Sequence, residues 1–528
     1  MKKLLSAFLF LVVFTAAFMV HAQVIPSIEW QKSVGGSSND SAYCIQQTSD
    51  GGYIVAGSSY SNDSDVTENH GGEDYWIVKT DASGNIVWQK SFGGSSNDIA
   101  ASIQQTSDGG FIVAGSSASN DGDVSGNHGL ADYWIVKLDA LGNLVWQKCF
   151  GGSKNDNAYS VQQTSDGGFI VAGSSYSNDD DVSGNHGFND YWIVRLSSDG
   201  NLTWQKYFGG LHIDFASSVL QTADGGFIVA GSSSSPNGDV VGHHGSAFPD
   251  YWIMKLDVNG NIVWQKCLGS WEWDAPYSIR LIAGGGFIVA GYASFNNGDV
   301  TGNHGGSNDY WVAKLDPEGN LIWEKSLGGT GDDRAYSIDP TSDGGFIIAG
   351  GSNSDDGDVS GRHGASGNDE WIVKLNADGN LIWQKMWGGF GDELAYSILQ
   401  TSEGGFIVAG SSNSHGGDVS GNHGNYDYWI VKLTSDQTGI ASLSTNFISL
   451  YPNPVQSELN IDLTTSSIEA TIRVYDLQGR IMSLPVSDFL TSSSVQLNTT
   501  SLSDGFYTLQ IIDNKTGAST VGKFVKQQ

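Results

Sequence analysis

The sequence predicts an all-β protein: a seven-bladed β-propeller with four-stranded blades, its ring closed by pairing the N- and C-terminal strands, followed by a small β-sandwich. Three observations lead there. A unit of 58 to 60 residues recurs along the chain, marked by Trp30, Trp88, Trp146, Trp204, Trp264, Trp323 and Trp383 in a WQK or WEK context. Each unit holds four short apolar runs rich in β-branched and aromatic residues, punctuated by Asp-Gly and Gly-Gly, and no segment shows a helical period with caps. The ends of the array are complementary fragments. Ile28-Glu29-Trp30-Gln31-Lys32 is a fourth strand lacking its third, and 427–433 (DYWIVKL) is a third strand lacking its fourth.

A fixed long period means stacked units, each too small to bury its own apolar face. Joining the two fragments completes a hairpin present intact six times elsewhere and removes two sheet edges that a linear solenoid must cap.

The elements follow in chain order. Residues 1–22 read as a secretory signal peptide: Lys2 and Lys3, an apolar run, then the small-residue site Val20-His21-Ala22. The propeller occupies 23–433. In each unit the first strand (AYSIQQT) meets the second (GFIVAGSS) through an SDGG turn. The third (YWIVKLD) meets the fourth (NLVWQKSFG) through turns such as DALGN. These turns share one face of the disc. The opposite face receives the GGSSND link between units and a long loop, SNDGDVSGNHGxxDYW. Residues 434–446 (TSDQTGIASLSTN) form a polar linker, and 447–528 a β-sandwich with turns at Pro452, Pro454, Gly479 and Gly505.

That last segment closely resembles the type A C-terminal sorting domain of the type IX secretion system of Bacteroidetes. The matching residues are Tyr451-Pro452-Asn453-Pro454, Val474-Tyr475-Asp476-Leu477-Gln478-Gly479, Gly505-Phe506-Tyr507 and the basic ending at Lys523 and Lys526. The resemblance implies a partner, the type IX secretion machinery, and a destination outside the outer membrane, secreted or on the cell surface. The hairpin WIVKLDALGNLVWQK also resembles the tryptophan motif of quinoprotein-like (PQQ-type) propeller repeats. No quinone-holding residues can be placed here, so the blade tryptophans are expected to be packing residues.

Composition narrows function. A formal net charge of -32 disfavours nucleic acid, which needs clustered Lys and Arg, and no transmembrane segment is expected in the mature chain. Cys44, Cys149 and Cys267 are expected to be buried thiols, since equivalent positions two units apart are too distant to bridge.

The candidate sites lie on the long-loop face. Acids at alternate positions, as in Asp121-Gly122-Asp123, Asp179-Asp180-Asp181 and Asp356-Gly357-Asp358, offer oxygens to a calcium-type cation. The competing expectation is that these acids and the neighbouring histidines tie down turns. No other cofactor is expected.

Departures from the repeat point to a ligand. Leu211-His212-Ile213 and Trp271-Glu272-Trp273 replace the polar link in two consecutive units, and exposed apolar residues at polar positions suggest a binding patch for a glycan or a protein. The chain shows no nucleophile elbow, phosphate loop or zinc-protease motif, and no arginine cluster of the sialidase kind. The expectation is a non-catalytic binding or scaffold module, with an extracellular carbohydrate-active or sugar-oxidising enzyme as the alternative.

Overall fold

The computed structural model describes residues 25–245, 248–364, 366–436, 448–463, 470–476, 480–482, 494–513 and 519–527. The expected signal peptide, all but three residues of the expected linker, and Gly479 lie outside the described residues. Two compact units are present, one of them Ile25–Asp436.

Within that unit the described residues form seven antiparallel four-stranded sheets and no helix. Sheet 1 consists of Asp40–Gln47, Tyr53–Ser59, Asp74–Thr80 and Ile86–Phe92. Sheets 2 to 6 repeat this order over 98–150, 156–208, 214–268, 274–327 and 333–387. Sheet 7 takes its first three strands from Glu393–Gln400, Phe406–Ser412 and Asp427–Leu433 and its fourth from Ile28–Val34. There Ser33 lies opposite Trp429, and Lys32 opposite Ile430.

Second and third strands are buried along nearly their whole length, which explains why FIVAG and YWIV read as continuous apolar runs. A strand covered on both faces has no solvent side on which to alternate. Each core joins neighbouring sheets. Ile54, Tyr75 and Ile77 of sheet 1 pack with Phe111, Val113 and Trp134 of sheet 2, while Ile407, Tyr428 and Ile430 of sheet 7 pack with Tyr53, Val55 and Trp76 of sheet 1.

Polar contacts repeat the same relation. The Tyr75 hydroxyl donates to the Trp134 carbonyl at 2.9 Å, and Tyr428 donates to that of Trp76 at 2.9 Å. Fully buried tryptophans such as Trp134 are core residues. Those of the fourth strand are mostly half-buried, and each meets an aromatic residue of the following sheet nearly edge-on, as Trp88 does Phe111 and Trp30 does Tyr53.

One irregularity shapes the site. Every first strand carries a bulge, in sheet 1 between Ala42 and Cys44, and a bulge re-aims the extra side chain. The facing glycine makes room for it: a Cβ on Gly57 would lie 1.9 Å from the Ser41 carbonyl and 2.7 Å from the Tyr428 hydroxyl.

The second unit contains two antiparallel sheets. One orders Ile448–Tyr451, Glu458–Leu463 and Ser494–Asn498; the other orders Ile481–Met482, Ala470–Tyr475, Gly505–Asp513 and Ser519–Lys526. Leu459, Ile461 and Leu497 from the first share a core with Val474, Leu509 and Phe524 from the second. Asn453 accepts the Val525 amide at 2.8 Å, and Tyr507 donates to the Ser503 carbonyl at 2.9 Å. Lys526 is buried, with its backbone bridged to Val455.

Candidate ligand-binding site

Residues from the first strands of all seven sheets line a cavity of about 490 Å³. Two neighbouring positions on each strand line it. The bulged position supplies Tyr43, Ala101, Tyr159, Ser217, Tyr277, Tyr336 and Tyr396; the next supplies Cys44, Ser102, Ser160, Ser218, Ser278, Ser337 and Ser397. The serines also bind the strands together. Ser102 accepts the Val161 amide, Ser160 that of Val219, Ser337 that of Ile398 and Ser397 that of Ile45, each at 3.2 Å. These contacts satisfy amides that an edge strand otherwise leaves to water.

The tyrosines form a partial belt. Ring centroids of Tyr43 and Tyr396, Tyr396 and Tyr336, and Tyr336 and Tyr277 are 5.2, 5.1 and 4.9 Å apart, tilted or edge-on, the arrangement that ring quadrupoles favour. Burial raises the pKa of Tyr336 and Tyr396, so their phenols are neutral donors at ordinary pH. Ala101 and Ser217 leave the belt open on the other side.

At one end the lining includes Phe215, Pro249 and Trp273. Trp273 is 52% exposed and packs against Phe248 at 5.7 Å between ring centroids. Of the residues singled out in the sequence, the structure thus brings Trp273 to the cavity. Trp271, 63% exposed, does not line it, nor do Leu211, His212, Ile213 and Glu272. Three of their amides keep the repeat's partners: Leu211 donates to Asn237 at 3.0 Å, His212 to Ser235 at 3.0 Å and Trp271 to Asn297 at 2.7 Å, whereas Glu272 donates to Ser270 of its own link at 3.1 Å, Phe295 standing where the other loops carry the accepting serine.

Sequence reasoning passed over the tyrosine belt, Phe215, and the exposed Phe390. Phe390 stands at the same link position as Trp271, so a column-by-column comparison of the links carries that signal. Cysteines also differ from expectation. Cys267 is buried, whereas Cys149 is half-buried and Cys44 lines the cavity. All three are free, and burial raises the Cys44 thiol pKa, which makes it a poor nucleophile.

The loop acids are engaged by backbone. Asp121 accepts the Ser95 amide at 2.7 Å, Asp179 that of Ser153 at 2.8 Å and Asp356 that of Thr330 at 2.7 Å. Asp123, Asp181 and Asp358 lie 3.9, 3.8 and 3.6 Å from the Nε2 atoms of His70, His128 and His304 in the preceding sheet. Each of these histidines also contacts a buried acid of its own loop through Nδ1, as His128 does Asp132 at 2.7 Å. Burial opposes charging of the His128 ring, but the hydrogen bond and charge of Asp132 prevail and raise its pKa. Among the described residues no three His, Cys, Asp or Glu side chains converge to hold a metal ion. These acids latch one loop to the next.

Residues 449–527 match the family described as the secretion system C-terminal sorting domain. This segment is a type IX secretion sorting domain. The chain carrying it is exported by that system to the cell surface or beyond, and no helix among the described residues is long and apolar enough to cross a membrane. Elsewhere the likenesses are distant. The regulatory protein FlaEY of Caulobacter vibrioides is 26% identical over 195 residues, which cover 34% of this chain and 20% of that protein. The chain therefore spans about a fifth of this curated relative. PorZ, a surface component of the type IX secretion system of Porphyromonas gingivalis, aligns over 94% of this chain and 60% of its own at 12% identity and a TM-score of 0.39. A DUF4221 protein of Bacteroides vulgatus aligns over 78% and 98% at 9% identity and a TM-score of 0.33.

Proposed function

We propose that residues 25–436 form a closed seven-bladed β-propeller that serves, once exported, as a non-catalytic binding module for a glycan or protein ligand. The pairing of Ile28–Val34 with Asp427–Leu433 and the core shared by sheets 7 and 1 support closure. One observation carries the binding reading. Trp273, an exposed aromatic where other units have Asn, Ile or Asp, lies at the mouth of the aromatic cavity instead of apart from it.

The lining is made chiefly of aromatic and hydroxyl side chains, which suits the binding of a sugar or a peptide. The paired acids of the sheet junctions, such as Asp74 and Asp98, are fully buried.

A screen of oligosaccharides and peptides against the secreted protein should yield a ligand whose affinity falls at least tenfold in Trp273→Ala, while thermal stability stays within about 0.5 kcal/mol of wild type, as for most exposed substitutions. Unchanged binding of that ligand by Trp273→Ala would remove the cavity mouth as its site.

A further inference from the structure

Resting on the reading of the cavity as a binding site, we infer that its ligand is an acidic oligosaccharide, with a sugar carboxylate seated on Arg280. Trp273 and Arg280 mark the two ends of one first strand, Asp274–Leu281 and the residue before it. At about 3.3 Å per residue they are separated by roughly 20 Å, with Tyr277 between them. The cavity therefore has an aromatic mouth, a tyrosine wall and one cation at its far end. Arg280 is the sole Lys or Arg among the lining residues, in a chain whose net charge is -32.

Arg280 is also released from the repeat's structural duty. Equivalent positions hold Gln46 and Gln104, whose side-chain carbonyls accept the amides of Gln105 and Gln163 in the following sheet. The residue facing Arg280 in that role is Pro340, which has no amide to satisfy. The guanidinium spends one nitrogen on the Ile279 carbonyl at 3.0 Å, and its Nε lies 3.6 Å from Asp339, a loose pair. Asp339 spends its other oxygen on the Gln400 amide at 3.2 Å. A planar guanidinium with free N–H groups in a half-buried site matches a carboxylate's two oxygens.

The rest of the wall favours sugar over peptide. An extended peptide needs main-chain partners, and the strand amides of Ile45, Val161, Val219 and Ile398 are already taken by serine hydroxyls. Sugar rings offer apolar faces to Tyr43, Tyr277, Tyr336 and Tyr396, and hydroxyls to their phenols.

The test is calorimetric titration of the full secreted chain at low salt with a uronic-acid trisaccharide, its carboxyl-reduced neutral counterpart, and a tripeptide with a free C-terminus. Wild type should bind the acidic sugar at least tenfold more tightly than the neutral one. Arg280→Gln, which installs the repeat's own residue, should bind both equally at the neutral sugar's affinity, and Trp273→Ala should weaken both alike. Equal affinities in wild type, or an acidic preference that survives Arg280→Gln, overturns the carboxylate assignment and leaves the cavity reading standing. Tighter binding of the tripeptide overturns the sugar assignment. Absence of binding by all three probes overturns the inference and counts against the cavity reading together.

Discussion

Two links with the same place in the fold, 93–98 (GGSSND) and 269–274 (GSWEWD), separate what the repeat needs from what it tolerates. Both end in a fully buried aspartate that accepts a link amide, Gly94 to Asp98 at 2.8 Å and Ser270 to Asp274. In both, the third residue donates its amide to the long loop, Ser95 to Asp121 and Trp271 to Asn297 at 2.7 Å each. Four side chains differ: Ser270 is buried where Gly94 has none, Glu272 replaces Ser96, and at the two positions that face solvent Trp271 stands against Ser95 and Trp273 against Asn97. Buried acids and glycines fix the backbone, so the exposed positions can change without disturbing it. The candidate site grew where change was free.

The largest effects should therefore be the same in both regions. A Cβ on Gly115 would lie 1.9 Å from the Ile99 carbonyl, and one on Gly291 would lie 2.0 Å from that of Ala275. Each opposes a first-strand bulge, and backbone cannot yield as a flexible side chain can. Gly115→Ala and Gly291→Ala should each cost about 2–3 kcal/mol in urea unfolding, the upper range for overpacking. A large difference between the two would break the claim that the regular and the altered sheets share one framework.

That framework was legible in the sequence because its cause is local. The four strands of each unit, their order and their turns follow from apolar runs and from Asp-Gly and Gly-Gly spacing. The cavity was not legible, because its lining depends on the bulge, and the bulge comes from a close approach between strands that leaves no turn residue behind. Gly57 looked like any strand glycine, and Tyr43 like one more half-buried aromatic. Trp273 was found because it breaks a polar pattern; Arg280 was not, because its neighbours in the repeat already vary between Gln, Leu and Asp.

Departures inside the framework should behave differently from those outside it, and pH separates them. Glu370 stands where five other sheets place the tyrosine that donates to a neighbouring tryptophan carbonyl, as does Tyr428 of sheet 7. It is buried, and its Oε1 has no hydrogen-bond partner among the described residues. Burial first, then the charges of Glu393 and Asp369, raise its pKa well above the usual carboxylate value. The folded state thus holds a proton that the unfolded chain releases above its ordinary pKa of about 4.3, and stability falls as pH climbs from there through the raised folded-state value. Glu370→Gln should match wild type near pH 4 and exceed it in urea midpoint increasingly toward pH 8. A gain independent of pH would mean that packing, not ionisation, limits this position.

The smallest effect expected is that of calcium, and it tests whether the regular loops are architecture or sites. A ligand that binds only the folded state stabilises it by RT ln(1 + [L]/Kd), about 2.7 kcal/mol at a concentration 100 times Kd. Seven occupied loops would therefore move the melting temperature by many degrees. Asp121 and Asp123 instead spend their oxygens on the amides of Ser95 and Gly93, at 2.7 and 3.3 Å. Asp123 also lies within 3.9 Å of a histidine on the preceding sheet. A cation would have to displace these contacts, and with them the latch between loops. Millimolar calcium against chelator should shift the melting temperature by about 1 °C or less. A shift of many degrees would turn the long loops from fasteners into binding sites and would reverse the contrast between the regular and the altered links.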